Sequence, residues 1–183
     1  MSASESKDPE IEYLASFADF VRMNHGDLLG VVLPVIEQVA AHGPIQLLDI
    51  EMARSEVAGE LEQQGDWRRR VAERHPDDDR NLRAAQHCER LAWEIRELDP
   101  GNPTLRILAL VEAAIDLLPE DQQEGYFVNR NEQSHEFWRV IGFHERYDSG
   151  ELFLVAWIEF LVETLQGWLS EGEATRDPDA DRF

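Results

Sequence analysis

Glu132 and His135 stand three apart, so on a helix their side chains share one face. That is half of a carboxylate-bridged di-iron site. The other half needs a second Glu-x-x-His pair and two further Glu on facing helices. Three residues before His25, His42, His87 and His144 stand Arg22, Val39, Ala84 and Ile141, so no second pair is present. A looser set, Glu132, His135, His144 and Glu145, is the best choice for a metal held by several helices. No two His have the three- or four-residue spacing that aims two imidazoles at one ion. Asp77, Asp78 and Asp79 are adjacent and point in different directions. One of them capping the next helix accounts for them.

Nucleophilic and phosphate chemistry find less support. Cys88 is the only cysteine, so no intramolecular disulfide can form. Its neighbour His87 would point about 100° away on a helix and cannot serve as its base. Cys88 is expected to pack as a small hydrophobe. The eleven Gly are scattered over helix ends and turns, with no phosphate-cradling loop and no Gly-x-Ser-x-Gly elbow. Glu94-x-x-Glu97 resembles the first half of the paired acidic motifs that hold magnesium in helical nucleotide pyrophosphatases. The second half is not matched, because Glu112 and Asp116 are four apart. The stretch 43–67 resembles part of a winged helix-turn-helix module. No turn divides it, and Glu56, Glu60 and Glu62 would face the phosphates.

The segment 126–147 carries the types that dominate protein interfaces. These are Tyr126, Phe127, Trp138, Phe143 and Tyr147, with Arg130, Arg139 and Arg146 among them. These eight residues form the candidate partner-binding surface. The competing reading has the aromatics covering the ends of core helices. Arg68, Arg69, Arg70 and Arg74 form a basic cluster that is expected to pair with nearby acids.

The elements that position these groups are helices. Residues 149–169 are apolar around most of a helical circumference, with Glu159, Glu163, Gln166 and Ser170 as one narrow polar stripe. Such a helix must be covered on several sides. It is expected to be the centre of an all-α, single-domain helical bundle of about six to eight helices. Earlier helices are expected over 8–23, 28–41 (kinked at Pro34) and 45–64, the last stopped by Gly65. A short basic helix follows near 67–74. Residues 80–98 carry a packing seam at Ala84, Cys88, Leu91, Ile95 and Leu98. Residues 104–118 form another nearly all-apolar helix, expected beside 151–169. The string 98–103 resembles the close of a tetratricopeptide repeat. The comparable Pro junctions at 76, 100 and 119 do not keep the 34-residue period of that family. Between 120 and 148 the reading is a helix over 132–140 plus loop, with a short β-hairpin near 138–150 as the alternative. Residues 1–7 are expected to be disordered, 8–170 to be the helical domain and 171–183 a mobile acidic tail.

Thirty-eight acids against seventeen bases leave a net charge of −21. Residues 1–50, 51–100, 101–150 and 151–183 carry −6, −4, −5 and −6, so the whole surface is acidic. Such a field repels nucleic acid and anionic lipid and attracts basic surfaces. One Lys beside sixteen Arg also fits a GC-rich genome or a halophilic cytoplasm. No secretion signal is read at the N-terminus, and the uninterrupted apolar run 152–158 is far short of a membrane span. A cytoplasmic protein is expected, with no cofactor, no direct nucleic acid and no membrane. The oligomeric state is open. In size, charge and lack of an active-site motif, the chain resembles immunity proteins and phage inhibitors that imitate DNA charge. That profile implies an acidic inhibitor or immunity protein that docks on and occludes a basic, for example nucleic-acid-binding, partner protein. The alternatives are a metal-dependent helical-bundle enzyme using the four metal candidates above, and a helical adaptor or chaperone of a halophile.

Overall fold

The computed structural model describes Pro34 and residues 50–116, 118–144 and 147–174. The side chains of 121, 140–144 and 171–174 are outside that description. The described part is all-α: five helices and, among the described residues, no strand. The helices expected over 8–23 and 28–41 lie outside it, apart from Pro34, which is helical.

Helix α1 spans Ile50–Arg74 and α2 spans Arg80–Arg96. In α1, Ala53, Val57, Ala58, Leu61, Gly65 and Arg68 are buried along one stripe. In α2 the buried set is Ala84, Ala85, Cys88, Leu91, Ala92 and Ile95. These side chains are mostly small, so the two helices lie close. Gly65 does not stop α1. It sits inside the helix, where a Cβ would lie 3.5 Å from the Ala85 carbonyl oxygen. The expected stop and the separate short helix at 67–74 are therefore replaced by one continuous helix. Cross-links run antiparallel: Arg54 donates to the Leu98 carbonyl at 2.7 Å, Arg96 to Glu62 at 3.0 Å and Arg69 to Glu89 at 2.6 Å. The turn at 75–79 is closed by the Asp78 N–H donating to the His75 carbonyl. Asp78 also accepts the Arg80 N–H at 3.1 Å, and Arg80 holds its carboxyl down at about 2.

Helix α3 is Pro103–Asp116. Asn102 caps it by accepting the N–H groups of Thr104 and Leu105, and Pro103 fills the first turn where no donor is needed. Nearly every side of α3 is buried, from Leu105 to Ile115. Helix α4 is Glu120–His144. Gln123 reaches back to the Asp116 and Leu118 carbonyls and seals the junction. Residues 138–144 are helical, which corrects the hairpin alternative. Phe137 and Trp138 hold this stretch against the last helix, so the β-branched pattern at 140–141 does not decide it.

Helix α5 is Gly150–Ala174. The Ser149 hydroxyl accepts the Leu152 N–H at its start. Phe153, Leu154, Trp157, Ile158, Leu161, Val162 and Leu165 are buried, while Glu159, Glu163, Gln166 and Ser170 are exposed as the sequence stripe required. From Gly150 to Ser170 the mean hydropathy is 1.4, and length and composition alone would permit a membrane crossing. Counting only an uninterrupted run understates this helix. Its apolar face is covered instead by α2, α3 and α4. Phe137 stacks on Phe160 at 4.9 Å and Trp138 on Phe153 at 5.9 Å. Residues 171–174 continue the helix, and the rest of the expected tail lies outside the described residues.

Candidate functional site

The interface segment read from the sequence is divided by the fold. Tyr126 is fully buried and Trp138 is 7 % exposed, so neither presents a surface. The Trp138 carbonyl accepts a bond from Arg68 at 3.3 Å, and Arg68, itself only 5 % exposed, also donates to Asn81. That buried arginine ties α1, α2 and α4 together. Tyr147 packs edge-on to Phe153. Arg139 is exposed and paired with Glu136. The Phe143 side chain and Arg146 are outside the described residues. Phe127, 37 % exposed, and Arg130 are the two members that meet at one place.

That place is a cleft of about 440 Å³ between α1, α3, α4 and α5. Helix α1 contributes Met52, Glu56, Val57, Gly59, Glu60 and Gln63, and α3 contributes Glu112 and Asp116. Phe127 and Arg130 come from α4 and Trp157 from α5. Each acidic pair is four residues apart, which turns both carboxylates of a helix to the same side. Among the described residues, Arg130 is the one basic side chain of the lining. Its guanidinium lies 3.9 Å from Glu60 and 5.1 Å from the centre of the Phe127 ring. Burial pushes the Glu112 carboxyl up to about 7; Arg130 partly opposes this, while Glu56, Asp116 and Glu60 add to it. Burial also raises Asp116. The Tyr126 hydroxyl is buried beside Arg130 but makes no hydrogen bond of acceptable geometry. Its ionisation is pushed up, first by burial, with Arg130 opposing and Glu112 adding to the rise.

Of the four metal candidates, only Glu132 and His135 have described side chains. Glu132 and His135 are exposed on α4, the His144 side chain is not described, and Glu145 lies outside the described residues. Among the described residues, no three His, Cys, Asp or Glu side chains are placed to hold one ion. Glu94 is occupied structurally, accepting the Gly150 N–H at 2.7 Å and pairing with Arg90. Cys88 is buried and its thiol is pushed up to about 11, chiefly by burial, as an inert packed cysteine should be. Of the basic cluster, Arg69 pairs with Glu89.

Glu56 and Glu60 were not singled out as site residues from the sequence. Their signal was the i, i+4 spacing repeated by Glu112 and Asp116, which in so acidic a chain stands out only once two helices are seen to face each other. No family model matches the chain, and searches of curated proteins and of solved structures give no match either.

Proposed function

We propose that this is a non-enzymatic acidic interaction protein that docks on a basic partner protein and occludes its working surface, as an inhibitor or immunity protein does. The fold proposed to carry it is a single bundle of six to eight helices around α5. The observation that carries the reading is where the charge goes. Arg69, Arg80, Arg90, Arg96 and Arg139 each pair with a carboxylate of the same chain. The described bases are thus largely neutralised at home, and a chain of net charge −21 is left with a surplus of acids. Such a surplus accelerates encounter with a positive surface and repels nucleic acid. Residence time would come from apolar side chains left outside, notably Trp93 at 63 % exposure, Val128 and Leu152.

The test is capture from the host lysate with tagged full-length protein at about 0.15 M and about 1 M salt. Captured proteins are then titrated in purified form. The reading expects a basic protein retained at low salt and released at high salt, with its own activity lost on binding. Binding that ignores salt, or a captured protein that is acidic, overturns it.

A further inference from the structure

We propose that the outward face of α2 is a self-association surface, on which a second copy of this chain packs antiparallel so that Trp93 of each copy fills the hollow beside Leu82 of the other. Leu82 and Trp93 are eleven residues apart, so they stand about 20° apart around the helix and about 16 Å apart along it. They are 40 % and 63 % exposed. The opposite side of α2, with Cys88, Leu91 and Ile95, is spent inside the bundle. At the Leu82 end lies a hollow of about 370 Å³, lined by Ala72, Pro76 and Leu82 together with Arg69 and Glu73. An exposed indole is the large, rigid body that such a hollow takes.

A projecting ring and a hollow on one stripe of one helix define a closed arrangement. A two-fold axis crossing the stripe level with residues 87 and 88 brings Trp93 of one copy to Leu82 of the other, and the same in reverse. The contact is therefore isologous and stops at two copies. Near that axis stand the exposed Gln86 amide and the Arg69–Glu89 pair, whose charges cancel.

Charge explains why two copies would meet here. Residues 62–96 hold eight acids and eight bases, so the whole −21 resides in the rest of the chain. Two such chains repel each other over surfaces built from that rest, and the α1–α2 hairpin is where they approach at least electrostatic cost. Among the described residues, Met52, Phe127, Val128 and Leu152 are also large, apolar and exposed, but they belong to the charged remainder. The face of two adjacent helices about 25 Å long buries about 1,000 Å² in total, the lower end for a specific interface, so the dissociation constant is on the order of 10 µM. The inference does not rest on the docking reading. While two copies are paired, Trp93 is withheld from any other partner.

The experiment is analytical ultracentrifugation of the full chain from about 2 to about 500 µM, at about 0.05 M and about 0.5 M salt. The expected result is a reversible monomer–dimer equilibrium that tightens at least about threefold as salt rises, because screening removes the repulsion and leaves the apolar contact. The docking reading expects binding to weaken with salt, so the two fail separately. Trp93→Gln and Leu82→Glu, both at exposed positions, should each weaken the dimer at least about tenfold, and Val128→Gln should leave it unchanged. Gln86→Cys places a thiol beside the axis, and a short bis-maleimide should join two copies there, since Cys88 is buried. A monomer at every concentration, open-ended association, a dimer that weakens with salt, unchanged association in Trp93→Gln, or no cross-link through residue 86 overturns the proposal.

Discussion

Glu112 is the residue whose chemistry departs furthest from its sequence label. Its carboxyl ordinarily loses its proton near 4.5 but in the fold does so at about 7, mainly because it is buried. The folded chain therefore holds that proton more tightly than the unfolded chain. Its stabilising effect is complete below about pH 4.5, falls away as pH rises to about 7 and is gone above that. The full difference is on the order of 3 kcal/mol. Urea unfolding at pH 5 and pH 8 should show wild type losing more stability across the interval than Glu112→Gln. Equal losses would mean that Glu112 is solvated. Nothing in the string around residue 112 announces this. Burial is set by α1, α4 and α5 closing over it, and a one-dimensional pattern does not record which helices meet.

At the scale of elements, glycine shows where sequence punctuation and packing part. Gly65 was read as a stop, yet it lies within α1 with its neighbours at ordinary contact distance for a Cβ. Gly65→Ala is expected to stabilise by about 0.5–1 kcal/mol, the usual gain of replacing a mid-helix glycine. Gly125 lies inside α4, and there a Cβ would come within 2.7 Å of the Trp168 ring. Gly125→Ala should cost about 1 kcal/mol net, because the ring must shift. Chemical denaturation of both variants checks the opposite signs. The same contrast explains what was legible. Helix α5 announced itself through an apolar run with a clean polar stripe. Helix α4 did not, because its inward stripe passes through Tyr126, Arg130, Ser134 and Trp138, and a charge and a hydroxyl in the middle erase the period.

For the whole molecule, the all-α class followed from periodicity, while the site did not, since its acids come from helices more than fifty residues apart in the chain. Charge acts at this scale too. A −21 chain repels itself when compact, and salt screens that repulsion. Raising salt from about 0.02 to about 0.5 M should lift Tm by about 3 °C, on the order of 1 kcal/mol for a chain of this size. The protein should be fully folded at about 0.15 M. Circular dichroism showing it unfolded there and recovered only in molar salt would instead favour adaptation to a saline cytoplasm as the reason for the acids.

The bond from the Gly150 N–H to Glu94, with Arg90 holding the Asp148 carbonyl at 2.9 Å, carries a consequence for the order in which the molecule assembles. The hairpin of α1 and α2 closes through a five-residue turn and local contacts, so it can nucleate early. The start of α5 is tethered to a residue 56 positions away and can dock only on a hairpin already formed. A Cβ at Gly150 would crowd Glu94 and Ile95 at 3.0 Å. In stopped-flow experiments Gly150→Ala should therefore speed unfolding and leave refolding nearly unchanged, whereas weakening the hairpin at Leu61 should slow refolding. On this ordering the most apolar helix is the last to be covered, and the hairpin is the template that receives it.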